Sequence, residues 1–238
     1  MKLKLTVAAL AAMLTVPAMA GTPVVTETPV TPTPAPEPIA FEVGAFYSFP
    51  TKDIVSWPEY GHSGKKVHML GGDITSVYKI DDSSSATVRL GYGTGSASKN
   101  YLFGGRERYR LHTFTLMPGY RYSVKVDDAV TCYAGVSAGV TNSSLKYKNN
   151  FYFDNTGKGL YKSHGSQWGF GYAVEVGVSY AISQDVSVFL AYEFSGNSAR
   201  PKVAKDYWIQ NEGDGWKRGI SSNQQVYHTI RAGVSCQF

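Results

Sequence analysis

Eight stretches of this chain alternate apolar and polar side chains with a period of two, the repeat of a strand whose two faces meet different surroundings. In 41–49, Phe41, Val43, Ala45, Tyr47 and Phe49 share one face, and Glu42, Gly44, Phe46 and Ser48 the other. In 68–80, Leu70, Ile74, Tyr78 and Ile80 oppose Asp73, Thr75 and Val77, and in 86–98, Val88, Leu90 and Tyr92 oppose Thr87, Arg89, Gly91 and Gly93. The segment 108–124 sets His112, Phe114, Leu116, Pro118, Tyr120 and Tyr122 against Thr113, Thr115, Met117, Gly119 and Arg121. In 130–147, Cys132, Ala134, Val136, Ala138 and Val140 stand against Thr131, Tyr133, Gly135, Ser137 and Gly139. The clearest is 166–182, where Trp168, Phe170, Tyr172, Val174, Val176, Val178, Tyr180 and Ile182 oppose Gly169, Gly171, Ala173, Glu175, Gly177 and Ser179. Val186, Val188, Leu190, Tyr192 and Phe194 mark 186–198, and Val226, Ile230, Ala232, Val234, Cys236 and Phe238 mark 225–238.

The links between these segments alternate short and long. Those at 81–85, 125–129 and 183–185 are tight turns, whereas 50–67, 99–107, 148–165 and 199–224 are mostly much longer. A barrel with an even number of strands and both termini in the periplasm puts every short turn there and every long loop outside. The pattern therefore predicts an all-β fold, a transmembrane antiparallel up-and-down barrel of eight strands in a Gram-negative outer membrane. Tyr and Trp favour the boundary between headgroups and hydrocarbon. Tyr120, Tyr122, Tyr180 and Phe238 are expected in a periplasmic girdle, and Tyr92, Trp168 and Phe194 in an outer one. A secreted soluble β-protein fits less well, because its aromatic outer faces would meet water.

The N-terminal region sets the compartment. Lys2 and Lys4 precede an apolar run from Leu5 to Val16, followed by Pro17-Ala18-Met19-Ala20. This reads as a signal peptide, 1–20, cut before Gly21. The run is shorter than the ~20 residues of a spanning helix, and no later stretch is uniformly apolar over that length. The sequence TPVVTETPVTPTPAPEP at 22–38 is rich in proline and predicts an extended spacer over 21–40, leaving 41–238 for the barrel. The formal charge of +5 falls to +3 once Lys2 and Lys4 are lost, too mild an excess to imply nucleic acid, and no nucleic-acid motif is visible.

These features resemble the OmpA/OmpX type of small outer-membrane barrel, including the opacity-type, porin-like domains. The likeness rests on strand count, loop alternation, the Pro-Gly-Tyr-Arg-Tyr run at 118–122 and the terminal Phe238. It implies that the C-terminal strand with Phe238 is the signal read by the outer-membrane assembly machinery. Unlike full-length OmpA, the sequence shows no globular peptidoglycan-binding domain after the barrel, so anchoring by that route is not expected.

The inward faces carry Glu42, Asp73, Glu175 and Glu193 with Arg89, Arg121 and Arg231. Unpaired buried charge is expensive, so these groups are expected to pair. Inward glycines at 91, 93, 119, 135, 169, 171 and 177 leave room for them and for Phe46, Tyr133 and Phe189. An eight-strand interior is just wide enough for side chains to fill, which favours a plugged lumen with a structural role. The alternative is a small porin-like channel for ions or solutes.

The long loops, taken as 50–67, 99–108, 146–165 and 199–224, hold fifteen Lys or Arg against seven Asp or Glu, interspersed with aromatic residues. Lys65, Lys66, Arg106, Lys158, Lys162, Trp208, Lys217 and Arg218 are the candidate surface for lipopolysaccharide phosphates or for host or matrix glycans, by charge and stacking. A plainer reading has the bases neutralise the cell's own lipopolysaccharide and the aromatics pack the loops together. A lipid A enzyme is a distant third reading: His164 and Ser166 share the outward parity, but Glu175 points inward and cannot orient the histidine. No cofactor is implied. The other histidines lack metal-ligand spacing, and Gly91-Tyr92-Gly93-Thr94-Gly95 has no following helix to make a nucleotide loop. Cys132 and Cys236 face outward on the fifth and eighth segments, which are not neighbours, so no disulfide is expected.

Overall fold

The computed structural model describes residues 39–53, 55–56, 66–100, 106–153, 157–206, 217–222 and 225–238, with backbone alone at 55–56, 99–100, 149–153, 157–161, 203–206 and 217–222. The expected signal peptide and nearly all of the spacer fall outside the described residues. The strands in chain order are β1 Ile39–Pro50, β2 Val55–Ser56, β3 Met69–Lys79, β4 Ser84–Asn100, β5 Arg106–Lys125, β6 Val130–Phe153, β7 Gly157–Ala181, β8 Val186–Asn197, β9 Lys202–Asp206, β10 Lys217–Ser222 and β11 Gln225–Gln237. Eight of them close a barrel in the order β1-β11-β8-β7-β6-β5-β4-β3, with every pairing antiparallel. The first barrel strand begins at Ile39, so Ile39 and Ala40 belong to the barrel and not to the spacer.

Each strand turns the face named above outward. Leu70, Val88, Val136, Phe170 and Leu190 are among the large apolar side chains left exposed around the wall, while Glu42, Asp73, Thr75, Thr87 and Arg231 are buried inside. Such a wall suits hydrocarbon and a polar lumen. The aromatics expected at the short-turn end do lie there: Tyr122 pairs with Ser84, Tyr120 with Ala86, and Tyr180 with Val130, each next to a turn. From Phe114 to Tyr122 on β5 is eight residues, or ~21 Å along the barrel axis at the usual rise and tilt, close to the height of a membrane's apolar band.

The short turns share one closure. In the first, the backbone N–H groups of Ser83 and Ser84 donate to the Asp81 carboxylate at 2.8 Å each. In the second, those of Ala129 and Val130 donate to Asp127 at 2.8 and 2.7 Å. In the third, Val186 N–H donates to Ser183 Oγ at 3.2 Å. A short oxygen side chain at the first turn position thus fixes each reversal locally.

The long-loop side departs from the sequence reading. β6 and β7 are 24 and 25 residues long, more than twice the ~9–11 a tilted membrane strand needs. Their other ends are tied by short turns, so the excess stands beyond the membrane on the loop side. The expected loop at 148–165 is therefore largely a strand hairpin, and β4 and β5 likewise extend to Asn100 and from Arg106. Within 50–67 and 199–224, β2, β10 and β9 form a separate three-stranded sheet.

In this overhang the facing rule inverts. Tyr109, Leu111, Leu145 and Tyr147 turn inward and are buried with Val67, Met69 and Tyr227, while Arg108, Arg110, Lys146 and Lys148 turn outward. The reason is the solvent: outside the membrane, water takes the place of lipid at the outer wall, so apolar side chains gain by facing in.

Candidate functional site

Seven charged side chains from seven different barrel strands converge in the lumen. Glu42 comes from β1, Asp73 from β3, Arg89 from β4, Arg121 from β5, Glu175 from β7, Glu193 from β8 and Arg231 from β11. Each arginine has a carboxylate of its own: Arg89 pairs with Glu193, Arg121 with Glu42, and Arg231 with Asp73. Glu175 is shared by all three, at 3.0 Å from Arg121, 2.7 Å from Arg231 and 3.7 Å from Arg89. Arg231 grips Asp73 with two hydrogen bonds, and Arg89 also donates to Ser137 Oγ of β6 at 3.2 Å. Planar guanidinium groups suit this task, because their five donors satisfy several carboxylates at once.

Aromatic rings complete the layer. The Arg121 guanidinium lies over the Tyr133 ring at 4.3 Å and that of Arg231 over Phe189 at 5.5 Å. Gly177 permits the first contact, since a Cβ there would come within 2.4 Å of the Tyr133 ring. Above the charged layer lies a chamber of about 80 Å³, walled by the hydroxyls of Ser48, Thr113, Thr115, Thr141 and Thr229 together with Phe46, Met69 and Met117. The apolar cluster around Leu111, Leu145 and Tyr227 lies on the loop side of this chamber. Ala199 passes over the inner face of β7 at Gly169, where a Cβ would lie 2.4 Å from the Ala199 nitrogen. Gln225 and Asn197, both buried, hold that crossing by hydrogen bonds to each other and to Ala199.

The outer wall of the overhang carries a second constellation. Cross-strand pairing sets Arg110, Lys146 and His164 in one row and Arg108, Lys148 and Lys162 in the next, on β5, β6 and β7. All six side chains are exposed on the outward parity. Toward the membrane the following rows are His112, Ser144 and Ser166, then Phe114, Asn142 and Trp168, then Leu116, Val140 and Phe170.

The closed eight-strand antiparallel barrel with an apolar outer wall and a charged interior decides the fold. The chain folds as a small outer-membrane β-barrel. The sequence matches no protein-family model and no curated protein. Solved structures do resemble it. OprG of Pseudomonas aeruginosa superimposes with a TM-score of 0.51 at 14% identity, over 85% of this chain and 96% of OprG. A major outer membrane protein of Thermus thermophilus gives 0.51 at 15% identity, over 84% and 99%. Neisserial surface protein A gives 0.48 at 16% identity, over 84% and 97%.

The expected surface residues divide by position. Lys66 precedes β3 and is exposed, and Arg106 and Lys162 are exposed on β5 and β7, not on loops. Lys158 lies on β7, and Lys217 and Arg218 lie on β10, all three on strands. Lys65 and Trp208 fall outside the described residues. Arg108, Arg110, Lys146 and Lys148 complete the wall patch but were not singled out by sequence reasoning. The signal for them was present in the inverted alternation of Arg108-Tyr109-Arg110-Leu111 and Leu145-Lys146-Tyr147-Lys148. The residues of the enzyme reading stand apart: His164 bonds Ser144 at 2.9 Å, Ser166 bonds Asn142 at 3.3 Å, and Glu175 is inside the barrel. Cys132 and Cys236 are free thiols.

Proposed function

We propose that the protein is a closed outer-membrane barrel whose role is structural or surface-interactive, carried by its basic, aromatic-rich extracellular side, without catalysis. The observation that carries this reading is Glu175 held between three arginines, each bound to a further carboxylate from another strand. Ties that cross the lumen in several directions support a closed interior, and the apolar cluster on the loop side stands as a second barrier on the same reading. A narrow channel is the competing reading, and the chamber above the charged layer is the observation on its side. The non-catalytic reading is supported by the separation of His164 and Ser166 from Glu175.

The surface role follows from charge. A rim with excess Lys and Arg and interspersed aromatics suits acidic glycans, the cell's own lipopolysaccharide included. The C-terminal strand with Phe238 is the segment offered to the assembly machinery. The test compares binding of the folded barrel in proteoliposomes to an acidic and a neutral polysaccharide at physiological and high salt. Preference for the acidic polymer that fades with salt is expected. Equal retention of both polymers contradicts the surface reading.

A further inference from the structure

We infer that the outer wall of the β5–β7 overhang is a binding site for a phosphorylated glycolipid of the surrounding outer leaflet, with the phosphates on two rows of bases and the acyl chains on the apolar rows beneath. The inference rests on the reading that the barrel spans a membrane with this overhang outside. It does not need the lumen to be closed.

Three observations carry it. The first is the grid. Arg110, Lys146 and His164 lie side by side, as do Arg108, Lys148 and Lys162. Strands are ~4.8 Å apart and rows ~6.8 Å apart, so the six groups crowd a patch of ~10 by ~7 Å. Like charges directly opposite one another across strands are destabilising. No acid stands among the outward-facing described residues of this stretch, because Glu107 points inward, where the hydroxyls of Tyr109 and Tyr147 donate to it at 2.9 and 2.8 Å. An anion from outside the chain relieves the repulsion.

The second observation is depth. Arg110 is four residues above Phe114, ~10 Å along the barrel axis at the usual rise and tilt. Long basic side chains lay their stems along the wall and place their charges toward the headgroup level. The third is continuity. Below one intervening polar row, His112, Ser144 and Ser166, the same three strands present Trp168, Phe170, Leu116 and Val140, all exposed. A surface that is basic above and apolar below matches a lipid bearing phosphates on a sugar headgroup over acyl chains. A soluble anionic polymer would use the upper half alone. Between Arg108 or Arg110 and Lys162 or His164 the wall also has an open concavity lined by Lys146, Lys148 and Ser163, so a headgroup can seat between the side chains.

The experiment titrates the folded, detergent-solubilised barrel with bisphosphoryl lipid A and counts bound lipid by native mass spectrometry, with a heat-modifiability gel confirming the fold of every variant. The variant Arg108→Ala/Lys148→Ala/Lys162→Ala removes one row. Arg110→Gln/Lys146→Gln, which removes the charge and keeps an unbranched polar side chain, serves as the second variant. Lys52→Ala removes charge elsewhere on the same side. Loss of a phosphate contact is expected to weaken binding by about tenfold or more in the grid variants, since tenfold corresponds to a single charge-assisted interaction. The Lys52→Ala variant should bind as the parent does, and phosphate-free lipid A should bind far more weakly. Unchanged binding in both grid variants overturns the inference. So does an equal loss in the Lys52→Ala variant, which would mean diffuse charge attraction. Displacement of the lipid by inorganic phosphate at matched phosphate concentration would also overturn it, because the apolar rows would then contribute nothing. A barrel that conducts ions yet loses lipid in the grid variants refutes the closed-lumen reading alone. A closed barrel whose grid variants bind normally refutes this inference alone.

Discussion

Arg231 on β11 grips Asp73 on β3 through two hydrogen bonds of 3.0 and 2.6 Å, spanning the width of β1 between them. Both side chains are only 2% exposed. The pair therefore ties two strands that share no backbone ladder. Removing one partner of a buried pair costs about 3–5 kcal/mol, and here Arg231 would be left with Glu175 alone, itself shared with two other arginines. Asp73→Ala is expected to lower stability by about that amount, read as a fall in the midpoint of urea unfolding in detergent. Asp73→Leu combined with Arg231→Met should recover part of the loss, because replacing both members with apolar groups removes the stranded charge.

Tyr133 and Gly177 form the next tie. A methyl group at Gly177 would overlap the Tyr133 ring that stacks on Arg121, and overpacking of this kind costs about 1–3 kcal/mol. Gly177→Ala should destabilise the barrel by that much, and Tyr133→Ala in the same chain should relieve the clash. The double-mutant cycle should give a coupling well above additivity. Additive effects would mean that the ring moves aside at no cost.

The overhang has its own core. Leu111 and Leu145 are fully buried in it, beyond the membrane band. Truncation of such a residue costs about 2–5 kcal/mol, and here the loss falls locally on the extracellular hairpins. Leu111→Ala is expected to speed limited proteolysis within 106–153 several-fold while the heat-modifiable gel shift is kept. Loss of the gel shift together with protease resistance would mean that overhang and membrane barrel unfold as one unit.

Phe238 is 78% exposed and touches Phe41 edge-on, with ring centroids 6.1 Å apart. So little packing gives it a small share in the stability of the finished barrel. Phe238→Ala should refold in detergent like the parent yet reach the membrane in cells at a several-fold lower level, measured by quantitative blotting of membrane fractions. Equal cellular levels would remove the assembly role.

Much of this architecture was legible in the sequence, for identifiable reasons. A strand between lipid and a polar lumen must alternate, so parity alone placed Glu175 and Arg231 inside and Trp168 and Phe170 outside. Which charges meet was not legible, because Glu42 reaches Arg121 across the lumen, and that depends on strand tilt and stagger, which a period of two does not encode. The ends of β6 and β7 were misjudged for a different reason. Beyond the membrane the outer face becomes charged, as at Lys146 and Lys162, so the apolar outward signal stops while the strand continues. The wall patch stayed hidden with it, its members distributed over strands that become neighbours only once the barrel has closed.

On the proposed function the charge-paired lumen is shut, and single-channel recording of the refolded barrel in a planar bilayer reads its conductance. The parent protein should show a quiet baseline with no steady conductance, and Arg121→Ala/Glu175→Ala, which removes two members of the hub, should show discrete opening steps. Reproducible openings from the parent, altered by either substitution, would overturn the closed lumen and make the barrel a channel.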